Sequence, residues 1–296
     1  MKRLRFYLET CFVYLIGWFS SLFSPSKRLT FGKILGRILY FLLPQRVKIA
    51  RQNLLFAYPT KDPKWVNDIT KKVFENLGIV FAEFLALPWF DENVIKDYIR
   101  FENVELIREK YNEGKGVLLL SGHYGNWELL AYSVKVYLGL SVLIIVKPLS
   151  NYILDRVINQ FRTQGGNQVV SMYESALKVV RTLKEKGIVA LLADQSATKD
   201  KDIYVNFFGR KAATFDSPAH FALKYKVPVI IGFAKRESYY YKVRLEEIDH
   251  SDLNFDKEGI YELTRRYIEK LENVINEKPE LWLWTHRRWK HNQENS

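Results

Sequence analysis

Leu118-Leu-Leu-Ser-Gly-His-Tyr-Gly-Asn-Trp-Glu128 joins a predicted buried strand to a predicted helix through a glycine-containing turn. Residues 117–120 form a short apolar run between two glycines, which is typical of a strand buried on both faces. From Trp127 onward the apolar residues recur at helical spacing, and Asn126 suits the N-cap position. We therefore predict a strand, a turn and a helix, with a ligand site at the carboxyl end of the strand.

His123 and Glu128 are the first candidate catalytic pair in this stretch. On a regular helix this spacing would separate the two side chains by about 140°, so His123 must lie off the helix, in a turn that Gly122 and Gly125 make flexible. The Glu128 carboxylate is then expected to hold one imidazole nitrogen and to leave the other free as a general base. An acid at this spacing is a weak motif, and a capping turn with a hydrogen-bonded histidine is the alternative.

Length and composition narrow the protein class. The chain has 296 residues, 15% of them aromatic, and a formal net charge of +12. Such a charge favours a polyanionic partner, which is nucleic acid, an anionic membrane surface or an acidic carrier protein. Cys11 is the one cysteine, so an intrachain disulfide is excluded, as suits a cytoplasmic environment. Zinc-finger, Walker and dinucleotide-binding glycine motifs are absent.

The N-terminal segment has the composition of a membrane-associated region. Three cations precede an uncharged run over residues 11–23, which is shorter than the roughly 20 residues that cross a bilayer. A second apolar patch covers residues 38–43. We predict membrane-embedded or interfacial helices over residues 1–45, with a main domain over residues 46–296. A signal peptide and ordinary buried helices are the alternatives.

From Gly116 onward, strand and helix patterns alternate. Strands are predicted at 117–120, 141–146, 168–171, 188–193, 229–234 and 239–245. Helices are predicted at 127–138, 152–164, 175–186, 217–225 and 257–277. This alternation predicts an α/β fold with a mixed, mostly parallel central sheet flanked by helices, in which residues 239–245 form an antiparallel neighbour of the preceding strand.

Charged side chains lie at or just beyond the ends of three of these predicted elements. Lys147 closes the second strand, taken to lie beside the first, and Arg162 ends the next helix ahead of two glycines. A guanidinium binds phosphate or carboxylate with two hydrogen bonds. Asp194 closes the strand over 188–193, so we expect it in the same crevice as His123 and paired with Arg162. Solvated surface side chains and a capping aspartate are the alternatives.

Two segments near the C-terminus combine aromatic and basic residues. Residues 207–211, which include Arg210, predict a loop able to close over a phosphate or an acyl chain, or else a solvated basic loop. Residues 282–290 are rich in tryptophan and arginine, which suits a membrane–water interface and also nucleic acid. A metal site is not predicted, because no second histidine stands at ligand spacing from His123.

Taken together, ordered blocks along nearly the whole chain resemble the bacterial lipid A biosynthesis acyltransferases, the lauroyl and myristoyl transferase family. The blocks are Arg51-Gln-Asn-Leu-Leu-Phe-Ala-Tyr-Pro59, Ser121-Gly-His-Tyr-Gly-Asn-Trp-Glu128, Arg162 before Gly165, Ala193-Asp-Gln195, Phe207-Phe-Gly209 with Thr214, and Trp284-Thr-His-Arg-Arg-Trp-Lys290. Lys147-Pro148 differs from the Arg-Pro of many members, which keeps the charge but puts two-point binding there in doubt.

The resemblance implies acyl transfer from an acyl carrier protein or CoA thioester to a hydroxyl of a lipid A precursor. The enzyme would work at the cytoplasmic face of the inner membrane, against anionic lipid, without cofactor, metal or nucleic acid. His123 would act as the general base and Glu128 would orient it. The implied substrate-binding or oxyanion residues are Arg162, Asp194, Lys147, Gly125 and Arg210.

Other functions stay open at this point. The alternative acceptors are other glycolipids or phospholipids, such as a phosphatidylinositol mannoside. A metal-dependent hydrolase would use His123, Glu128 and Asp194 as ligands and would lose activity with a chelator. A non-catalytic basic protein would bind nucleic acid or anionic lipid with steep salt dependence that survives loss of His123.

Overall fold

The computed structural model describes residues 2–196 and 202–290, and its N-terminal part is helical. The first elements are α1 (Lys2–Ser21), α2 (Pro25–Leu42), α3 (Pro44–Ala57), α4 (Pro63–Ala86), α5 (Glu92–Tyr98), β1 (Ile99–Phe101) and α6 (Glu105–Asn112). A proline begins each of α2, α3 and α4, where its missing N–H breaks no helical hydrogen bond. Asp62 caps α4 by accepting a hydrogen bond of 2.8 Å from the Trp65 amide.

Strands and helices then alternate, as the sequence predicts. The elements are β2 (Val117–Ser121), α7 (Trp127–Leu138), β3 (Val142–Val146), α8 (Tyr152–Thr163), β4 (Gln168–Ser171), α9 (Ser175–Lys184), β5 (Ile188–Leu192), β6 (Asp202–Phe207), β7 (Arg210–Phe215), α10 (Ser217–Tyr225), β8 (Val229–Gly232), β9 (Lys235–Arg236), β10 (Tyr241–Val243), β11 (Leu245–Glu247) and α11 (Lys257–Glu277).

The main sheet has the strand order β11-β8-β2-β5-β3-β4. Its strands pair in parallel, except that β11 is antiparallel to β8. β2 and β5 stand next to each other near the middle, and all of their residues are buried or partly buried. The mixed, mostly parallel α/β fold is therefore confirmed, and β2 ends at a central position, where the crevice beyond the sheet can hold a ligand.

The sheet order corrects one assumption of the sequence analysis. Lys147 follows β3, which was expected beside β2, but β5 lies between them because the chain returns to the centre of the sheet after β4. Residues 239–245 also divide differently: β10 joins a small sheet with β1 and β9, and the antiparallel neighbour of β8 is β11.

The segments at 207–211 and 282–290 also differ from expectation. Residues 202–215 form a β-hairpin whose two-residue turn, Phe208-Gly209, has positive φ at both positions, as hairpin twist favours. Trp282, Trp284 and Trp289 are buried, so a membrane interface is the wrong interpretation of these side chains. They belong to the core that surrounds the central sheet.

Helix α4 holds the N-terminal helices in place. Gly32 and Gly36 of α2 lie against α4 so closely that a Cβ at either position would collide with backbone atoms of α4. In α1, the Ser20 hydroxyl donates a hydrogen bond of 2.7 Å to the Ala82 carbonyl of α4. These helices are therefore packed onto the remainder of the protein, and the predicted domain boundary near residue 45 stays a prediction.

The outer faces of α1 and α2 expose many large apolar side chains. The most exposed are Leu4, Leu8, Phe12, Leu15, Ile34, Phe41 and Leu42, joined by Leu22 in the turn between the two helices. Within the described ranges, no helix combines the length and apolar character needed to cross a membrane. The predicted N-terminal anchor therefore has no support as a spanning helix.

Candidate active site

The ends of β2 and β5 bring His123 and Asp194 together. The two strands pair in parallel with Ser121 opposite Leu192, so the residues two positions beyond each strand face one another. His123 Nδ1 lies 2.7 Å from Asp194 Oδ1. The His123 backbone amide also donates a hydrogen bond of 2.8 Å to Asp194 Oδ2. Asp194 thus binds both the ring and the backbone of the candidate base.

Asp194 is buried, yet it is held as a carboxylate. Trp282 donates a third hydrogen bond from its indole N–H to Asp194 Oδ2, at 2.8 Å. Burial alone would raise the pKa of Asp194, but the charge of His123 and the hydrogen bonds from His123 and Trp282 outweigh it and lower that pKa to about 2. The acid therefore stays ionised at neutral pH.

The C-terminal segment fixes the turn that carries His123. The Leu283 amide donates to the His123 carbonyl at 3.0 Å, and the Gly125 amide donates to the Leu281 carbonyl at 2.9 Å. Gly125 has φ of 59°, and a Cβ there would collide with the Ala234 carbonyl, which explains the glycine. The sequence analysis missed this role because residues 281–283 are distant along the chain from the turn.

Glu128 lies in the first turn of α7 and binds Arg162 rather than His123. Arg162 donates from Nε to Glu128 Oε2 at 2.9 Å and from Nη2 to Glu128 Oε1 at 2.6 Å, the two-point geometry of a strong pair. A third bond runs from Arg162 Nη1 to Asn159 Oδ1 at 3.0 Å. Burial would lower the pKa of Arg162, but Glu128 raises it, so the guanidinium stays charged.

The two acids therefore exchange the partners expected from the sequence. The predicted contacts of Glu128 with His123 and of Asp194 with Arg162 are wrong. The reason is the strand order: β5 adjoins β2, so Asp194 reaches the imidazole directly, while Glu128 points from α7 toward α8. The catalytic role of Glu128 itself stays a prediction.

Gln195 contacts the imidazole nitrogen that Asp194 does not bind. Its Nε2 lies 3.2 Å from His123 Nε2. Because Nδ1 of the neutral ring donates to Asp194, Nε2 presents a lone pair that accepts from the Gln195 amide. The His123 side chain keeps 18% of its surface exposed, so the ring is not fully enclosed. The arrangement is that of a general base oriented by a buried carboxylate.

Comparison of the chain with known proteins identifies its family. A family model described as "Bacterial lipid A biosynthesis acyltransferase" matches residues 2–291. The chain belongs to this family. It is 22% identical over 262 residues to the lipid A biosynthesis lauroyltransferase of Escherichia coli (strain K12). The aligned stretch covers 86% of this chain and 83% of that enzyme. The protein is accordingly an acyltransferase, and the resemblance seen in the sequence is confirmed.

The remaining predicted site residues of this acyltransferase are not brought to the imidazole by any described contact. Lys147 is exposed beyond β3, two strands away from β2. Arg210 lies in the β-hairpin, and its guanidinium is 4.7 Å from the ring centre of Phe56 in α3. The Gly125 amide is used by Leu281, so it cannot serve as the predicted oxyanion donor. Substrate binding by Lys147 and Arg210 stays a prediction.

The structure also reveals a second partly buried histidine, His286, close to the pair His123–Asp194. His286 Nε2 accepts a hydrogen bond of 3.3 Å from the Ser196 amide. Burial lowers the pKa of His286 to about 4, and Asp194 opposes this effect only in part. Within the described ranges, no group of three or more histidine, cysteine, aspartate or glutamate side chains is placed to hold a metal ion.

His286 should make the stability of the acyltransferase depend on pH. Because its pKa is about 4 in the folded state against 6.5 ordinarily, the unfolded state binds more protons between these values. The stabilisation is complete above pH 6.5 and is lost as the pH falls toward 4. The free energy of unfolding, measured with urea, should fall less steeply as the pH drops from 6.5 to 4 for His286→Gln than for the native protein. An unchanged slope would contradict this assignment.

Proposed function

We propose that the protein transfers an acyl chain from an acyl carrier protein or CoA thioester to a hydroxyl of a lipid A precursor, with the pair His123–Asp194 as its catalytic centre. The supporting observation is the imidazole, which is held at Nδ1 by a buried carboxylate and, within the described part of the chain, contacts only the Gln195 side chain at Nε2. The lipid A acceptor follows from membership of the family. Another glycolipid or phospholipid hydroxyl is the alternative acceptor.

The chemistry needs one base and no covalent enzyme intermediate. His123 Nε2 takes the proton of the acceptor hydroxyl as the hydroxyl oxygen attacks the thioester carbonyl carbon. Asp194 stabilises the imidazolium that forms, since its carboxylate already accepts from Nδ1. Collapse of the tetrahedral intermediate breaks the carbon–sulfur bond, and His123 returns the proton to the departing thiolate. The products are the acylated lipid and a free thiol.

Arg162 and Glu128 are given a binding role in this proposal. The guanidinium is fixed by Glu128 and Asn159, and it remains charged despite its burial. A fixed guanidinium suits a phosphate of the acceptor. Glu128 would therefore act by orienting Arg162, and its removal should weaken acceptor binding more than it slows the chemical step.

The exposed apolar faces of α1 and α2 support location at the cytoplasmic face of the inner membrane, on anionic lipid. Exposed cations accompany the apolar side chains on these helices, at Arg3, Arg5, Lys27 and Arg37. Apolar side chains flanked by cations favour a helix that lies in the headgroup region. The acceptor lipid and an acidic carrier would meet there, since the protein carries a net charge of +12.

Charged substitutions on this face should detach the enzyme from lipid. Leu8 and Phe12 expose 62% and 65% of their surfaces, so Leu8→Glu with Phe12→Glu leaves the packing inside the protein intact. Cosedimentation with vesicles containing anionic phospholipid should weaken by at least about tenfold, because burial of each such side chain contributes about 1.5–3 kcal/mol. The matched control is Leu177→Glu on α9, where the leucine is 85% exposed. Equal binding by both variants would contradict the proposed face.

An acyl-transfer assay tests the function. The purified protein is incubated with acyl carrier protein or CoA carrying a radiolabelled acyl chain, and with a lipid A precursor or a phosphatidylinositol mannoside. We expect label in the lipid A precursor. The rates with the two acyl donors, compared with each other, identify the donor that the enzyme uses. Label only in the other lipid would change the acceptor. Chelator-sensitive release of free fatty acid without transfer would instead favour a metal-dependent hydrolase.

A further inference from the structure

Acyl transfer places a negative charge on the thioester carbonyl oxygen, and the backbone amides of the three residues 123–125 are already engaged. The His123 amide donates to Asp194 at 2.8 Å. The amides of Tyr124 and Gly125 donate to the carbonyls of Gly122 and Leu281, at 2.7 and 2.9 Å. Donors to such an oxyanion must lie about 2.7–3.1 Å from it. A side chain in contact with His123 is therefore a source of such a donor that is separate from the amides at the start of α7.

Gln195 is a donor in contact with the reacting nitrogen of the base. It follows Asp194 directly, and its Nε2 lies 3.2 Å from His123 Nε2. The backbone beside it is engaged elsewhere, because the Ser196 amide donates to His286. The Gln195 side chain is only partly buried. Its amide thus occupies the position that the acceptor hydroxyl must take.

We propose that Gln195 is the oxyanion donor of the acyl transfer, an inference that rests on the proposed function. As the acceptor hydroxyl binds His123 Nε2, it displaces the Gln195 amide from the ring. The amide then turns to the neighbouring thioester carbonyl and donates an N–H to its oxygen as the hydroxyl oxygen bonds to the carbonyl carbon. Gln195 gains and loses no proton, and it returns to His123 when the oxyanion collapses and the thiolate leaves.

Two substitutions test this role. Gln195→Ala removes the donor, and Gln195→Glu keeps the shape but places a carboxylate beside the oxyanion. Each should lower kcat by about 10²–10³-fold, with KM for either substrate changed much less. The deficit of Gln195→Glu should shrink as the pH falls, because a protonated carboxyl donates a hydrogen bond, while that of Gln195→Ala should not. A loss of packing alone would produce no such difference.

The outcomes separate this inference from the proposed function. His123→Ala is assayed beside the two variants, and thermal unfolding checks that all three are folded. Loss of transfer in His123→Ala together with kcat within about twofold of the native value in both Gln195 variants would overturn the oxyanion role alone. An increase in kcat for Gln195→Ala would also overturn it, because Gln195 would then only block the base. Retained transfer in His123→Ala would refute the pair His123–Asp194 as the catalytic centre of the proposed function.

Discussion

Replacing His123 with alanine should lower acyl transfer to the lipid acceptor by about 10²–10⁴-fold, the range that a positioned general base contributes. Without the imidazole, the acceptor hydroxyl attacks while still protonated, and Asp194 is left as a buried carboxylate without its main partner. Transfer of a radiolabelled acyl chain at saturating donor and acceptor measures the effect. The loss should fall on kcat, because His123 acts in the chemical step.

A second histidine provides the control for this experiment. His220 on α10 packs against the ring of Phe255, with 4.8 Å between ring centres, and takes no part in the site. His220→Ala should keep near-native transfer. Near-native rates for His123→Ala would show that another group takes the proton, whereas equal losses for both variants would point to general damage to the fold.

Asp194→Asn should produce the second large effect, and its comparison with Glu128→Gln distinguishes the two acids. An asparagine amide retains the shape but cannot stabilise the imidazolium, and it can hold the ring in the wrong tautomer. We expect kcat to fall by about 10²–10⁴-fold. Glu128→Gln leaves the pair His123–Asp194 intact and weakens only the bonds to Arg162. We therefore expect a loss of about tenfold in kcat/KM, mainly through a higher KM for the acceptor.

The pairing inferred from the sequence makes the opposite forecast. If Glu128 oriented His123, Glu128→Gln would lose most of kcat and Asp194→Asn would act mainly through Arg162. The low pKa of Asp194, about 2, adds a check on stability. The stabilisation from this carboxylate is complete above its ordinary pKa of 3.8 and is lost as the pH falls toward 2. Asp194→Asn should lack this loss in acid unfolding.

Local features of the fold were predictable because neighbouring residues determine them. The run before Gly122 predicts β2, and Asn126 caps α7 as expected, with its side chain accepting from the Leu129 amide at 3.0 Å. The five helices and the first five strands predicted after residue 116 also match closely, whereas the hairpin β6–β7 was not predicted and residues 239–245 divide into two strands. Each depends on side-chain periodicity and on capping within a few residues, which a single sequence displays.

The partners within the site were not predictable, because they depend on the order of strands. Asp194 meets His123 only because β5 inserts between β2 and β3, and nothing in the local pattern specifies that insertion. The hydrogen bond from Trp282 likewise needs the C-terminal segment to return to the turn. Gln195 was visible only as the neighbour of an acid. Long-range packing therefore determines the site, whereas local chemistry supplies its residues.

A double-mutant cycle on His123 and Asp194 tests the central claim most directly. Acyl transfer is measured for His123→Ala, Asp194→Ala and the double variant, with His123→Ala plus Glu128→Ala as the matched pair. If His123 and Asp194 act as one unit, the double variant should be no slower than His123→Ala alone. Losses that multiply for His123 with Asp194, but not for His123 with Glu128, would contradict the account.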